Sequence, residues 1–205
     1  WKTILPPKSN VHFAACQEAG REDWGNLEYL MDTAFQAGFS VSELSMENIG
    51  WDGTHFVDLN QRQMQHIFKL YPWEWIWEEQ FAQHFNFNSQ WIEPCWKMLL
   101  SNKAILVELW KRYPNHPYLV ETHAVQGNLN LSGKWAKKPI LAREGANIRI
   151  VQDNQDQGEA SGSFFFKDYD QYGYVAQKWV ETPTVEGKGP TLGLWMVGHQ
   201  CAGMS

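Results

Sequence analysis

Apolar residues in the first 46 positions follow two different periods. "VHFAAC" (11–16) is a short continuous apolar run, and "EDWGNLEYLMDTAFQAGF" (22–39) spaces Leu27, Leu30, Met31, Ala34 and Phe35 as on one helix face. "VSELSM" (41–46) returns to a strand-like run. The pattern predicts strand, helix, strand with the length of a parallel crossover and Gly38 as the helix stop, hence a small α/β lobe. "GWDGTHFVDL" reads as a turn followed by a strand, and "HIFKLYP" as a buried strand ended by Pro72. A helix from about Trp73 to His84 follows; the alternation of Trp73, Trp75 and Trp77 would equally suit a strand.

A second part starts near "WIEPCWKMLLSNKAILVELWKRYPNHPYL", dividing the chain into lobes 1–90 and 91–205. Met98, Ile105, Leu106, Leu109, Trp110 and Tyr113 keep helical spacing, Ser101 or Asn102 can cap the helix, and Pro114 lies beyond its end. Lys103 then falls in the first turn, where the helix end is already partly positive, an arrangement that favours an anion held between the two. A solvated lysine is the competing reading. From Trp135 onward "WAKKPIL", "ANIRIVQ", "GSFFFKD", "YGYVAQKWV" and "PTLGLWMVG" are short β-like runs, predicting an antiparallel sheet, with "QDNQDQGEASGS" (152–163) as a polar loop.

Charge sharpens this picture. The chain carries a net charge of -6, which argues against a general nucleic-acid or membrane-surface binder. Yet Lys134, Lys137, Lys138, Arg143 and Arg149 fall within 16 residues with Glu144 as the sole acid, a local basic site in an acidic protein. Strand alternation turns Lys137 and Lys138 to opposite faces, so only one can share a cleft with Lys103. Pro139 lacks a ladder donor and marks an edge or strand end. The loop "AREGAN" can aim backbone N–H groups and the Arg143 guanidinium at phosphate oxygens.

Three scattered cysteines, Cys16, Cys95 and Cys201, suggest neither a disulfide framework nor a cysteine zinc site, and fit a reducing cytoplasm. No apolar run approaches the ~20 residues of a membrane-spanning helix. The twelve tryptophans could stack on sugars or fill a core; core packing is favoured because Ile76 and Phe81 accompany the tryptophan run. An opening Trp1 and a final "CAGMS" just after a strand-like run read as a fragment of something longer.

"IFKLYPWEW", "WIEPCWKMLLSNKAILVELWKRYPNHPYL", "KKPILAREGANI" and "YVAQKW" resemble, in order, blocks of the glutathionylspermidine synthase family of ATP-grasp ligases, from about residue 10 to the C-terminus. Within that family the likeness is greatest to bacterial acid-amine ligases without an amidase domain. The resemblance implies an α/β (α+β) protein: a small Rossmann-like preATP-grasp lobe, and a partial ATP-grasp lobe with an antiparallel sheet. It also implies ATP and Mg2+ as cofactors, a glutathione-like or peptide carboxylate and an amine such as a polyamine as substrates, and no nucleic-acid or membrane partner.

Position by position, the resemblance matches Lys103 and Lys138 to nucleotide-binding lysines, and Arg143 to the loop arginine that meets the transferring phosphoryl group. Gly145 and Asn147 belong to the same loop. Gln177, Lys178 and Trp179 match the hinge that receives adenine, and Glu74 an acidic position on the substrate side. The reaction it implies is ATP-dependent amide formation through an acyl phosphate. The chain departs from the family pattern: the upstream block with an arginine, an aspartate and a Glu-x-Asn pair is not found, "MEN" (46–48) sets its glutamate and asparagine side by side, and the chain stops before the family's final stretch. Metal ligands are therefore expected outside the chain. Two other classes stay open: a nucleotide-binding ATP-grasp relative without ligase activity, and an aromatic-rich carbohydrate-binding module.

Overall fold

A computed structural model describes residues 1–18, 20–85, 88–125, 127, 130–159, 169–184 and 186–204. The chain forms two compact units, Trp1–Ser101 and Asn102–Ser205. The sequence-based division at 90/91 falls within the strand Gln90–Ile92, whereas the compact units meet after Ser101.

In the first unit, β1 (Asn10–Ala15), α1 (Arg21–Gln36) and β2 (Ser40–Ser45) build the expected crossover. A short hairpin of β3 (Gly50–Trp51) and β4 (Phe56–Val57) follows, then β5 (His66–Leu70), α2 (Trp73–Ile76), β6 (Gln90–Ile92) and α3 (Met98–Ser101). The main sheet runs β2-β1-β5-β6 with every pair parallel. Central β1 is buried along five consecutive residues, as a strand covered on both faces must be. Its alternation divides the core. Val11, Phe13 and Ala15 pack with Leu27 and Ala34 of α1, while Ala14 turns to Ile67, Phe56, Trp73 and Trp91 on the opposite face.

Helix α1 stops at Gly38, as its position predicted. Ala37 caps it, Gly38 takes φ 93°, and Phe39 folds back into the core. Phe35, placed on the apolar face from spacing, is 65% exposed. The helix expected over Trp73–His84 is one turn plus a separate 3-10 segment, Gln80–His84, broken where Glu79 is extended. The reason is visible in the burial: Trp73 and Ile76 enter the core, whereas Trp77 and Phe81 are exposed, so no continuous apolar stripe holds a longer helix in place. The tryptophans are chiefly packing residues: Trp73 and Trp91 meet Phe85, and exposed Trp77 stacks on Trp73.

The second unit opens with α4 (Ala104–Arg112), which packs on β7 (Thr122–Val125). Strands β8 (Lys134–Pro139), β9 (Arg149–Gln152), β10 (Gln155–Glu159) and β11 (Tyr174–Lys178) complete an antiparallel sheet of order β10-β9-β8-β11-β7. A separate ribbon pairs β12 (Leu194–Val197) with β13 (Gln200–Met204). The strand expected within "GSFFFKD" (162–168) lies outside the described residues. The polar loop expected from 152 is a correction. Asp153 and Asn154, at φ 48° and 68°, form a two-residue turn between paired Gln152 and Gln155, so β10 adds to the sheet despite its polar residues. Two central residues at positive φ suit the twist of a hairpin, and Asp and Asn tolerate that conformation.

Among the described residues no helix is long and apolar enough to cross a membrane.

Candidate functional site

Strand β8 and the loop after it carry most of the expected site. Register places Lys138 opposite Val175 and Lys137 opposite Ala176, so the two lysines do lie on opposite faces. On the Lys138 face, its Nζ donates to Gln177 Oε1 at 2.6 Å, and Gln177 Nε2 donates to Thr122 Oγ1 at 3.3 Å. Three adjacent strands thus hold one ammonium in place. Burial lowers the Lys138 pKa below its ordinary 10.5. The cost of keeping this charge out of water is relieved by an anion brought to it.

Residues 140–148 connect β8 to β9, and their two shoulders are fixed. Ile140 N–H donates to Gly173 O at 3.0 Å, while Ile140 O accepts from Lys103 N–H at 3.0 Å. Lys103 Nζ donates to Ala142 O at 2.7 Å. Leu141, Ala146 and Asn147 are buried, whereas Arg143, Glu144 and Gly145 are exposed. Ala146 N–H donates to Arg143 O at 2.9 Å across Glu144 and Gly145, at φ 54° and 74°. That is the pattern of a type I′ turn, and it projects Arg143 from a narrow tip. Lys103 sits at the cap position of α4, one residue before the expected first turn; Asn102 Oδ1 accepts from Ala104 N–H at 2.8 Å, the capping role foreseen for it.

Lys178 ends β11 on the Lys137 face, and Trp179 follows it. Lys178 pairs with Trp135, three residues from Lys138, or about 10 Å along the strand. Its Nζ lies 3.2 Å from Glu121 Oε2. Trp179 Nε1 donates to Glu181 Oε1 at 2.7 Å, and Lys134 Nζ lies 3.9 Å over its ring. The structure thus brings Lys138 together with Gln177, and Lys103 with the Arg143 loop, and sets Lys178 and Trp179 at the other end of the same strands.

The opposite face holds a cavity of about 450 Å³ lined by Val125, Lys137, Val151, Asp156 and Ala176 among others, and by none of the expected site residues. There Lys137 Nζ lies 4.2 Å over the Tyr174 ring, and Arg149 Nε donates to Asp156 Oδ2 at 2.6 Å.

In the first unit Glu74 is 5% exposed at the start of α2, so its carboxylate is not a surface group of that unit. Glu47 of "MEN", set aside on sequence grounds, is exposed beyond the carboxyl end of β2 and accepts from Gln17 N–H at 3.0 Å and Cys16 Sγ at 3.2 Å. Burial would raise its carboxyl, but these donors outweigh it and hold the pKa below the usual value. Both groups sit at the carboxyl edge of the parallel sheet, next to β1, where chain order reverses between β2 and β5; ligands of open α/β sheets bind at such a point. Adjacent strands brought Cys16 and Glu47 together across 31 residues, a pairing without a local sequence signal.

The whole chain, residues 1–205, matches the family described as glutathionylspermidine synthase preATP-grasp. The chain belongs to that family. It is 45% identical over 203 residues to a Haemophilus influenzae protein named "Putative acid--amine ligase", covering 96% of this chain and 51% of the relative. It is 26% identical over 214 residues to the Escherichia coli bifunctional glutathionylspermidine synthetase/amidase, covering 91% of this chain and 34% of that protein. Trypanothione synthetase from Crithidia fasciculata is 25% identical over 174 residues, with 73% and 26% covered. The chain therefore spans about half the length of the first relative and less of the others. Among solved structures, D-cycloserine synthetase DcsG superposes with TM-score 0.51 at 14% identity, over 84% of this chain and 60% of that one, a likeness of fold. The α/β class with a Rossmann-like preATP-grasp lobe and an antiparallel ATP-grasp-like lobe is thus established, and the named relatives are ligases and synthetases.

Proposed function

We propose that the protein is an ATP-dependent carboxylate–amine ligase whose second unit binds the nucleotide on the Lys138 face of the antiparallel sheet. The observation that carries this reading is the half-buried Lys138 ammonium, fixed by Gln177 near the end of the strand that leads into the loop presenting Arg143. Adenine lies toward Gln177 and the backbone groups of Lys178 and Trp179, and the phosphates toward Lys138, Lys103, Gly145 and the loop N–H groups. The roughly 10 Å between strand positions suits an extended nucleotide with chemically different ends.

In the reaction, a substrate carboxylate oxygen attacks the γ-phosphorus as the bond to the β,γ-bridging oxygen breaks, giving an acyl phosphate and ADP. The amine nitrogen then attacks the acyl carbon, loses a proton, and displaces phosphate. Catalysis of such a transfer is mainly positioning and neutralisation of charge on phosphoryl oxygens. Lys138 supplies a fixed charge, and Arg143 a planar fork that can take two oxygens at once. Mg2+ would share that neutralisation. Among the described residues no group of three or more His, Cys, Asp or Glu is placed to hold a metal ion, so no residue here is assigned to it.

On the substrate side, a glutathione-like or peptide acid and a polyamine-like amine fit the names of the relatives. Exposed Glu47 is better placed than buried Glu74 to meet a cationic amine. Calorimetry with ATP, followed by phosphate release with and without an acid and an amine, tests the proposal. Binding, with release that requires both substrates, is expected. Binding with no such release would favour a nucleotide-binding relative without ligase activity, and absence of binding would end the nucleotide reading.

A further inference from the structure

The loop that presents Arg143 is held differently at its two ends. Its entry shoulder is tied through backbone groups: Ile140 to Gly173 and to Lys103, each at 3.0 Å. The exit shoulder is tied through a side chain. Asn147 is 5% exposed, takes φ 55°, and donates from Nδ2 to Asp170 Oδ1 at 3.2 Å. The same Asp170 oxygen accepts from the Tyr174 hydroxyl, and Asp170 O accepts from Gly173 N–H at 3.2 Å. Asp170 therefore stands in the turn that leads into β11, the strand whose Gln177 holds Lys138.

We propose that Asp170, acting through Asn147 and steadied by Tyr174, is a positioning residue that fixes the Arg143 loop before any nucleotide arrives, and that Asn147 serves this clamp instead of contacting nucleotide. This rests on the reading of the second unit given above. Two features favour a clamp over a ligand contact. Asparagine is among the few residues that tolerate positive φ, so position 147 meets a backbone requirement and a donor requirement together. The buried amide nitrogen is already directed to Asp170, so it is not turned toward an incoming phosphate. A preset loop spares the ordering cost at the moment of reaction, when Arg143 must lie within hydrogen-bond reach of the phosphoryl group.

The test uses the full chain and three variants. Asn147→Gly keeps access to positive φ and removes only the side-chain bond. Asp170→Ala removes the acceptor, and Tyr174→Phe removes one hydroxyl while keeping the ring. In nucleotide-free protein, amide hydrogen exchange at residues 141–147 and tryptic cleavage after Arg143 should both rise about tenfold or more in the first two variants, and less in Tyr174→Phe. Exchange across the β9–β10 pairing should stay unchanged, as should the urea midpoint to within a small shift. With substrates, kcat should fall while the dissociation constant for ATP stays within about threefold, the split expected when only the transition-state contact is misplaced. Unchanged exchange and cleavage in folded Asn147→Gly and Tyr174→Phe would overturn the clamp. So would a rise spread over the whole unit, or a local rise with turnover intact. If the wild-type chain does not bind ATP, the nucleotide reading fails separately, and the exchange and cleavage results still decide the clamp.

Discussion

Exchanging Lys138 for methionine keeps the aliphatic stem that covers the sheet and removes only the ammonium. The lost interaction is a contact between a half-buried cation and a phosphate, with the cation already held 2.6 Å from Gln177 Oε1. A hydrogen bond to a charged group contributes about 1.5–3 kcal/mol, which is roughly a 10- to 150-fold weaker dissociation constant for ATP. Lys137→Met serves as the control. Its ammonium lies over the Tyr174 ring on the other face, so ATP affinity should change by less than about 0.5 kcal/mol, the usual size of a surface substitution away from a site. Titration calorimetry on both variants, repeated at two salt concentrations, separates the contact from a general charge effect. The pH dependence is a second arm. The folded-state pKa of Lys138 lies below 10.5, so ATP affinity should fall as pH rises through that lower value, and this alkaline limb should be missing from Lys138→Met. The folded protein binds fewer protons than the unfolded chain between the two pKa values, so this lysine's stability contribution improves as pH rises; at neutral pH Lys138→Met should not destabilise the fold. Equal losses for the two lysines, or the larger loss at Lys137, would refute the assigned face and move the site to the cavity side of the sheet.

Three further outcomes are expected. Arg143→Ala should lower turnover by about 100-fold or more with a much smaller effect on ATP affinity, and Arg143→Lys should recover little; collapse of affinity with acyl-phosphate formation intact would make Arg143 a ground-state anchor. Phe13→Ala, at a fully buried position packed edge-on to Trp1 and against Phe68, should cost about 3–5 kcal/mol in urea unfolding, and a loss under 1 kcal/mol would show that the core refills. Burial would raise the Asp58 carboxyl, but the N–H groups of Arg62 and Asn60 and the Arg62 guanidinium hold its pKa below 3.8. Its stability contribution is therefore present above 3.8 and is lost as pH falls through the depressed value, so Asp58→Asn should flatten the acid limb of stability against pH; an unchanged acid limb would count against that role.

The sequence alone determined what depends on short-range pattern and chemistry. The crossover over residues 11–46 was legible because a strand buried on both faces and a helix with one apolar stripe leave different periods in the chain. Alternation was enough to turn Lys137 and Lys138 apart, and the order of the "SNKAIL", "KKPILAREGAN" and "YVAQKW" blocks was enough for the family. Tertiary structure decided what depends on partners far away in the chain. Polar Gln155–Glu159 became a strand because a two-residue turn laid it against β9, and the Trp73 helix stopped after one turn because Trp73 and Ile76 enter the core while Trp77 and Phe81 stay exposed. Residue type put Asn147 in the loop, but only the fold brought it to Asp170, 23 residues on, and Glu47 to Cys16 across two strands. Hydrogen bonds and burial are set by three-dimensional neighbours. A sequence period can turn a side chain toward one face, but packing decides what it meets there.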